Sequence, residues 1–146
     1  MFELGTKWAY GSHGLGIVRM NNGSVMSLWF SIAKATIRIE HKVAKRQLRA
    51  PIDLTQAEQV LSIMAEPPDP TPKIAWVRRM RDYKERIRNG LPEEIATIYR
   101  DLGRRPILSY MERMTFEKVR ELLFQELHLH FSDAGRRMKE AAGAVR

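Results

Sequence analysis

Pro51-Ile52-Asp53-Leu54-Thr55-Gln56-Ala57-Glu58-Gln59-Val60-Leu61-Ser62-Ile63-Met64 is the stretch at which the grammar of this chain changes. Ala57, Val60, Leu61 and Met64 recur at i, i+3, i+4 and i+7, the spacing of one helix face. Thr55 with Glu58 three residues on has the form of a capping box, in which a hydroxyl and a carboxylate satisfy free N–H groups at the helix start. Before Pro51 the pattern is strand-like. Lys7-Trp8-Ala9-Tyr10, Leu15 to Met20, Val25 to Ile32 and Thr36 to Ile39 are short runs. They are separated by Gly11-Ser12-His13-Gly14, Asn21-Asn22-Gly23 and Ala33-Lys34-Ala35. Asn-Gly between apolar runs is a strong hairpin signal, because both residues tolerate positive φ. Four or five strands in about 50 residues predict a small, strongly curved antiparallel sheet or barrel.

Beyond Met64 the helical grammar continues. Pro67-Pro68-Asp69-Pro70-Thr71-Pro72 stops the first helix and forms a stiff extended linker over 67–72. A second helix is expected from about Lys73 to Asn89, ending at Gly90. A third starts at Pro92, with Glu93 and Glu94 near its positive end, and stops near Gly103. Ser109 with Glu112 caps a fourth that reaches about His128, turning Phe116, Val119, Leu122, Leu123 and Leu127 inward. Ser132 is the expected cap of a short last helix. The fold class is therefore α+β: an antiparallel β domain over residues 1–50, then an all-α domain over 51–146.

Bulk composition narrows the function. The chain has 146 residues, 44% of them hydrophobic, which fits a folded protein rather than a disordered one. It has no cysteine, which excludes disulfides, zinc–thiolate sites and a thiol nucleophile and suits a reducing cytoplasm. No apolar run reaches the roughly 20 residues of a membrane span, and MFELGTKWAYG lacks the marks of a signal peptide. A cytoplasmic protein without a membrane partner is expected. The formal net charge of +8 favours an acidic partner, nucleic acid first. Residues 1–50 hold eight Lys/Arg against two Asp/Glu, and the rest seventeen against fifteen.

In the helical half the charge is concentrated. Trp76 to Arg88 reads WVRRMRDYKERIR. On a helical wheel Val77, Met80, Tyr83 and Ile87 share the inward side, with Arg78, Arg79 and Arg86 opposite and Arg81 at the flank. Asp82 and Glu85 sit within i,i+3 and i,i+4 reach of these arginines. The segment fits a solvated, salt-bridged face. It also fits a phosphate-binding patch whose tryptophan wedges or stacks against bases. The wheel puts Trp76 nearer the apolar side, which favours a core or helix-anchoring role, and does not fix its direction.

Trp76-Val77-Arg78-Arg79, the segment Glu94 to Leu102, and Leu108-Ser109-Tyr110-Met111-Glu112-Arg113 ending in Gln125-Glu126-Leu127 resemble the helical domain of the CarD/CdnL family in order and spacing. Phe2, Leu4-Gly5, Tyr10, His13-Gly14, Gly16, Ile37-Arg38-Ile39, Lys42-Val43 and Leu48-Arg49 resemble its Tudor-like polymerase-interaction domain. The resemblance implies a transcription regulator, not an enzyme, that acts as a monomer without a cofactor. It implies docking of the β domain on the RNA polymerase β subunit through Arg38, Ile37 and Ile39. It also implies that the helical domain lies on promoter DNA at the upstream edge of the bubble. Trp76 matches the family's wedge tryptophan, and Arg78, Arg79 and Arg81 match phosphate-holding positions. The chain departs from the family pattern at Thr6, at Gly11, at Ile39-Glu40 and in a shortened hairpin at Asn21-Asn22-Gly23, all in the docking half. A divergent paralogue that represses transcription would share these features.

Other constellations carry less. Gly11, Gly14 and Gly16 lack the lysine and strand–loop–helix context of a phosphate loop. His128 and His130 have no third metal ligand in view. The main rival function is a protein–protein adaptor without DNA contact, which predicts no salt-dependent DNA affinity.

Overall fold

The structure, a computed structural model, describes residues 1–143. Two compact units divide it, Met1–Pro51 and the remainder from Ile52 onward.

The first unit is a four-stranded antiparallel meander of order β1-β2-β3-β4, with β1 at Lys7–Ala9, β2 at Leu15–Asn21, β3 at Val25–Phe30 and β4 at Ala35–Glu40. The α+β expectation holds. The β2–β3 turn forms where Asn-Gly placed it. Gly23 has φ 92°, and Asn22 Oδ1 accepts the N–H groups of Ser24 and Val25 at 2.9 and 2.8 Å. Alternation sends Val18, Met26, Leu28, Phe30 and Ile39 into one core with Phe2. Gly16 is required there, since a Cβ would lie 2.5 Å from the Phe30 ring. β3 ends at Phe30, two residues before the expected end.

The strand-only reading of the first 50 residues fails at its end. His41–Gln47 is a helix, α1, and it closes the core with Ala44 while Leu48 follows it inward. Val43 packs against the core from a half-buried position, but Lys42, Lys45, Arg46 and Gln47 are exposed, so the helix offers too short an apolar stripe to stand out.

The second unit contains α2 at Leu54–Ala65, α3 at Trp76–Asn89, α4 at Pro92–Gly103, α5 at Tyr110–Leu127 and α6 at Ala134–Ala142. Asp53, not Thr55, caps α2. Its carboxylate accepts from Gln56 N–H at 2.8 Å, and Gln56 Oε1 accepts from Asp53 N–H at 3.1 Å. The box thus lies two residues upstream of the expected one, with the same chemistry. Of the predicted α2 face, Ala57, Val60 and Met64 are buried and Leu61 is half-buried. The Ser109–Glu112 box on α5 forms as expected, and all five predicted inward residues of α5 are buried. α6 begins after Asp133 rather than Ser132. It buries Ala134, Met138 and Ala142, spaced four apart.

Two arginines tie the unit together. Arg104 donates from Nε to the Ala142 carbonyl at 2.6 Å and from Nη2 to the Met64 carbonyl at 3.1 Å, so one guanidinium serves the C-terminal ends of α6 and α2. Arg100, 5% exposed, pairs with Asp101 at 2.9 Å and with Asp69 at 3.1 Å. Asp101 in turn accepts from Asp69 N–H at 3.0 Å. The extended 67–72 segment is therefore pinned to α4 at Asp69, and α3 starts from a fixed anchor. A capping-box search does not find this clamp, because its partners lie about 30 residues apart.

Candidate nucleic-acid interface

The start of α3 follows the proline segment and lacks a side-chain cap. Its N-cap is Ala75, and no acidic residue occupies the first turn. Packing begins only at the third turn, where Tyr83 and Ile87 are buried. The consequence appears in the first turn. Val77, expected inward, is 58% exposed, and Trp76 is 41% exposed. The wheel assigned both to the apolar side, but that side has no neighbour covering it at the N-terminal end of the helix. Met80 is half-buried, midway along the same gradient.

The arginines separate into distinct environments. Arg78 and Arg81 are exposed and make no ion pair among the described residues. Arg79 turns inward. Its Nη1 donates to the Ile74 carbonyl at 3.3 Å, its Nε is buried without a partner among the described residues, and its charge helps to hold the Glu112 carboxyl ionised. Arg86 is neutralised by Glu94 at 2.9 Å and Asp82 at 3.5 Å, and also donates to Thr97 Oγ1. Arg88 pairs with Glu85 at 3.3 Å. Asp82 and Glu85 of α3, with Glu94 of α4, therefore neutralise Arg86 and Arg88 in the C-terminal half of α3. They leave the turns beside Trp76 positive.

A small network underlies this end of α3. Glu112 is 6% exposed and ion-paired with Arg105, which also donates to Tyr83 Oη at 3.2 Å. Burial pushes the Glu112 carboxyl up, but the Ser109 N–H and hydroxyl, Arg105 and Arg79 outweigh it and hold the carboxyl below its usual range. Glu112 read in sequence as a cap. It is a cap and also the anion that links α5 to α3.

In the β unit, Ile37, Arg38 and Ile39 lie on β4, an edge strand paired only with β3. Arg38 is exposed, opposite Ser27 of β3, whereas Ile39 is 4% exposed and Ile37 packs against the core. Of these three, Arg38 alone offers its side chain to a partner.

His128 stacks on Phe124 at 5.1 Å and His130 lies 2.6 Å from the Ile52 carbonyl. Among the described residues no group of His, Asp and Glu could hold a metal ion, and no helix is long and apolar enough to cross a membrane.

The chain thus joins a four-stranded β unit to a five-helix unit whose second helix, α3, carries an exposed Trp-Arg turn. The family model for the C-terminal domain of CarD matches residues 59–141, more than half of the chain and wholly within the helical unit. The chain belongs to the CarD family, whose members are RNA polymerase-interacting transcription regulators rather than enzymes. No curated protein matches it.

Proposed function

We propose that this protein docks on the RNA polymerase β subunit through its β unit and stabilises the promoter open complex by setting Trp76 against the upstream edge of the bubble. The observation that carries this reading is the half-bared Trp76, flanked by Arg78 and Arg81, both exposed and without ion pairs among the described residues. A large aromatic left in water gains free energy where it can stack on or wedge into an unstacked base step. Arg78 and Arg81 neutralise phosphates on either side. Arg79, from its half-buried position, fixes the first turn and adds positive potential. The uncapped N-terminus of α3 adds to the same field. A wedge that fits only the opened duplex shifts the closed–open equilibrium by its difference in affinity for the two forms. Because phosphates and groove shape are read, sequence specificity is low.

On the polymerase side, Arg38 supplies the side-chain contact, while Ile37 and Ile39, whose backbone groups pair with β3, hold β4 in place beneath it. The protein works as a cytoplasmic, nucleoid-associated monomer. Whether transcription rises or falls depends on the step that limits each promoter, since an over-stabilised open complex slows escape.

The test is promoter opening by purified bacterial polymerase, followed fluorimetrically, with the wild-type chain and Trp76→Ala. The wild type should prolong the open complex, and the variant should lose most of that effect while still binding polymerase. A wild-type chain that neither binds polymerase nor changes opening would leave the adaptor function in its place.

A further inference from the structure

The helical unit holds a cavity that the promoter-contacting reading does not use. It opens where α4, α5 and α6 meet, with a volume of about 340 Å³. Phe124, Met138 and Gly135 form its apolar walls, and Tyr99, Arg120 and Lys139 give it polarity. A cavity of this size falls at the lower end of the range that holds drug-sized molecules.

Tyr99 is the unusual member. The residue is 1% exposed and its ring stacks on Phe116 at 5.0 Å, yet its hydroxyl has no hydrogen-bond partner among the described residues. Tyr99 lines the cavity. Burial pushes the phenol pKa up, with Arg120 opposing only in part, so the O–H is a firm donor at neutral pH. Arg120 lies over the Phe116 ring at 5.7 Å, and neither Arg120 nor Lys139 makes an ion pair among the described residues. Glu121 is the one acid among the described lining residues. An unused donor and two uncommitted cations thus converge on an apolar space.

We infer that this cavity binds a small anion with an apolar body, of the class of a bicyclic aromatic carboxylate. The ring packs between Phe124 and Met138, and the carboxylate accepts from the Tyr99 hydroxyl and pairs with Arg120. The site stands independently of the Trp76 surface. Gly135 offers a control, because a Cβ there would meet the Phe124 ring at 3.8 Å, an ordinary contact, on backbone without positive φ. A longer side chain at that position enters the cavity without straining the helix.

The probe is 1-naphthoate, titrated into the full chain labelled at its methionine methyls and followed by NMR. The Met138 methyl should shift saturably. Tyr99→Phe and Arg120→Gln should each weaken binding about tenfold, and Gly135→Leu should abolish it with cooperative thermal unfolding retained. Trp76→Ala should bind the probe as the wild type does, which separates this site from the promoter surface. No saturable shift would overturn the inference. So would equal affinity for the neutral 1-naphthalenemethanol, or unchanged binding in both Tyr99→Phe and Arg120→Gln, since the hydroxyl would then hold an ordered water only.

Discussion

Burial alone would favour the neutral form of Glu112, yet the Ser109 N–H and hydroxyl, the Arg105 guanidinium and the nearby Arg79 charge together favour the anion and prevail. The folded pKa therefore lies below the ordinary value of 4.5. For a carboxyl with a depressed folded pKa, the stabilisation is complete above the unfolded pKa. It is lost as pH falls through the folded one. Glu112→Gln keeps the reach of the capping box but removes the charge that pairs with Arg105. The variant should lose roughly 2 kcal/mol near neutral pH and show a flatter decline in stability than wild type below pH 4.5, where the wild type loses what the variant already lacks. Urea unfolding midpoints across this range measure the effect, and parallel curves would assign the acid limb to other carboxylates. The same network bears on the candidate site, because it is the surface against which Arg79 rests. The sequence placed Arg78, Arg79 and Arg81 in one phosphate-contacting set. It could not show that Arg79 is drawn towards an anion 33 positions away on another helix.

Helix ends and helix interiors were legible to different degrees. The buried stripe of α5 and the Pro92 start and Gly90 stop of neighbouring helices follow from 3.6-residue spacing and local chain stiffness, which act over a few residues. The cap of α2 was misplaced because Asp53 and Thr55 are both competent N-caps with a Glu or Gln three residues on. The choice between them depends on where the incoming chain is fixed. Ile52 is that point, its N–H donating to Glu126 at 3.1 Å and its carbonyl 2.6 Å from His130 Nε2, partners more than 70 residues away. Asp53→Ala should therefore cost about 1 kcal/mol, read as a lowered thermal midpoint, while Thr55→Ala should leave it almost unchanged. The reverse ranking would restore Thr55 as the cap. The exposure of Trp76 was illegible for a related reason. A helical wheel extends one face along the whole of α3, whereas burial stops near Tyr83, where the neighbouring helices stop covering it.

Charge at the scale of the whole molecule runs counter to the simplest division of labour. Residues 1–50 carry an excess of six positive charges and the remainder an excess of two, so the unit proposed to hold the polymerase is the more basic one. Net charge alone would send DNA to the β unit. The proposed function assigns DNA to α3 because local pairing matters more than the total: Arg86 and Arg88 are neutralised within the helical unit, whereas Arg78 and Arg81 make no ion pair among the described residues. Salt dependence separates these alternatives, since each phosphate neutralised adds about 0.9 to the slope of log affinity against log salt on duplex DNA. With the full chain and a duplex carrying a short unpaired bubble, Arg78→Gln combined with Arg81→Gln should lower the slope by just under 2. Arg38→Glu should leave the slope unchanged and abolish capture by purified polymerase, whereas the double variant should still be captured. If Arg38→Glu lowers the slope as much as the double substitution does, the β unit itself lies on phosphate. Arg38 then reports a DNA contact, and the polymerase must be held by another surface.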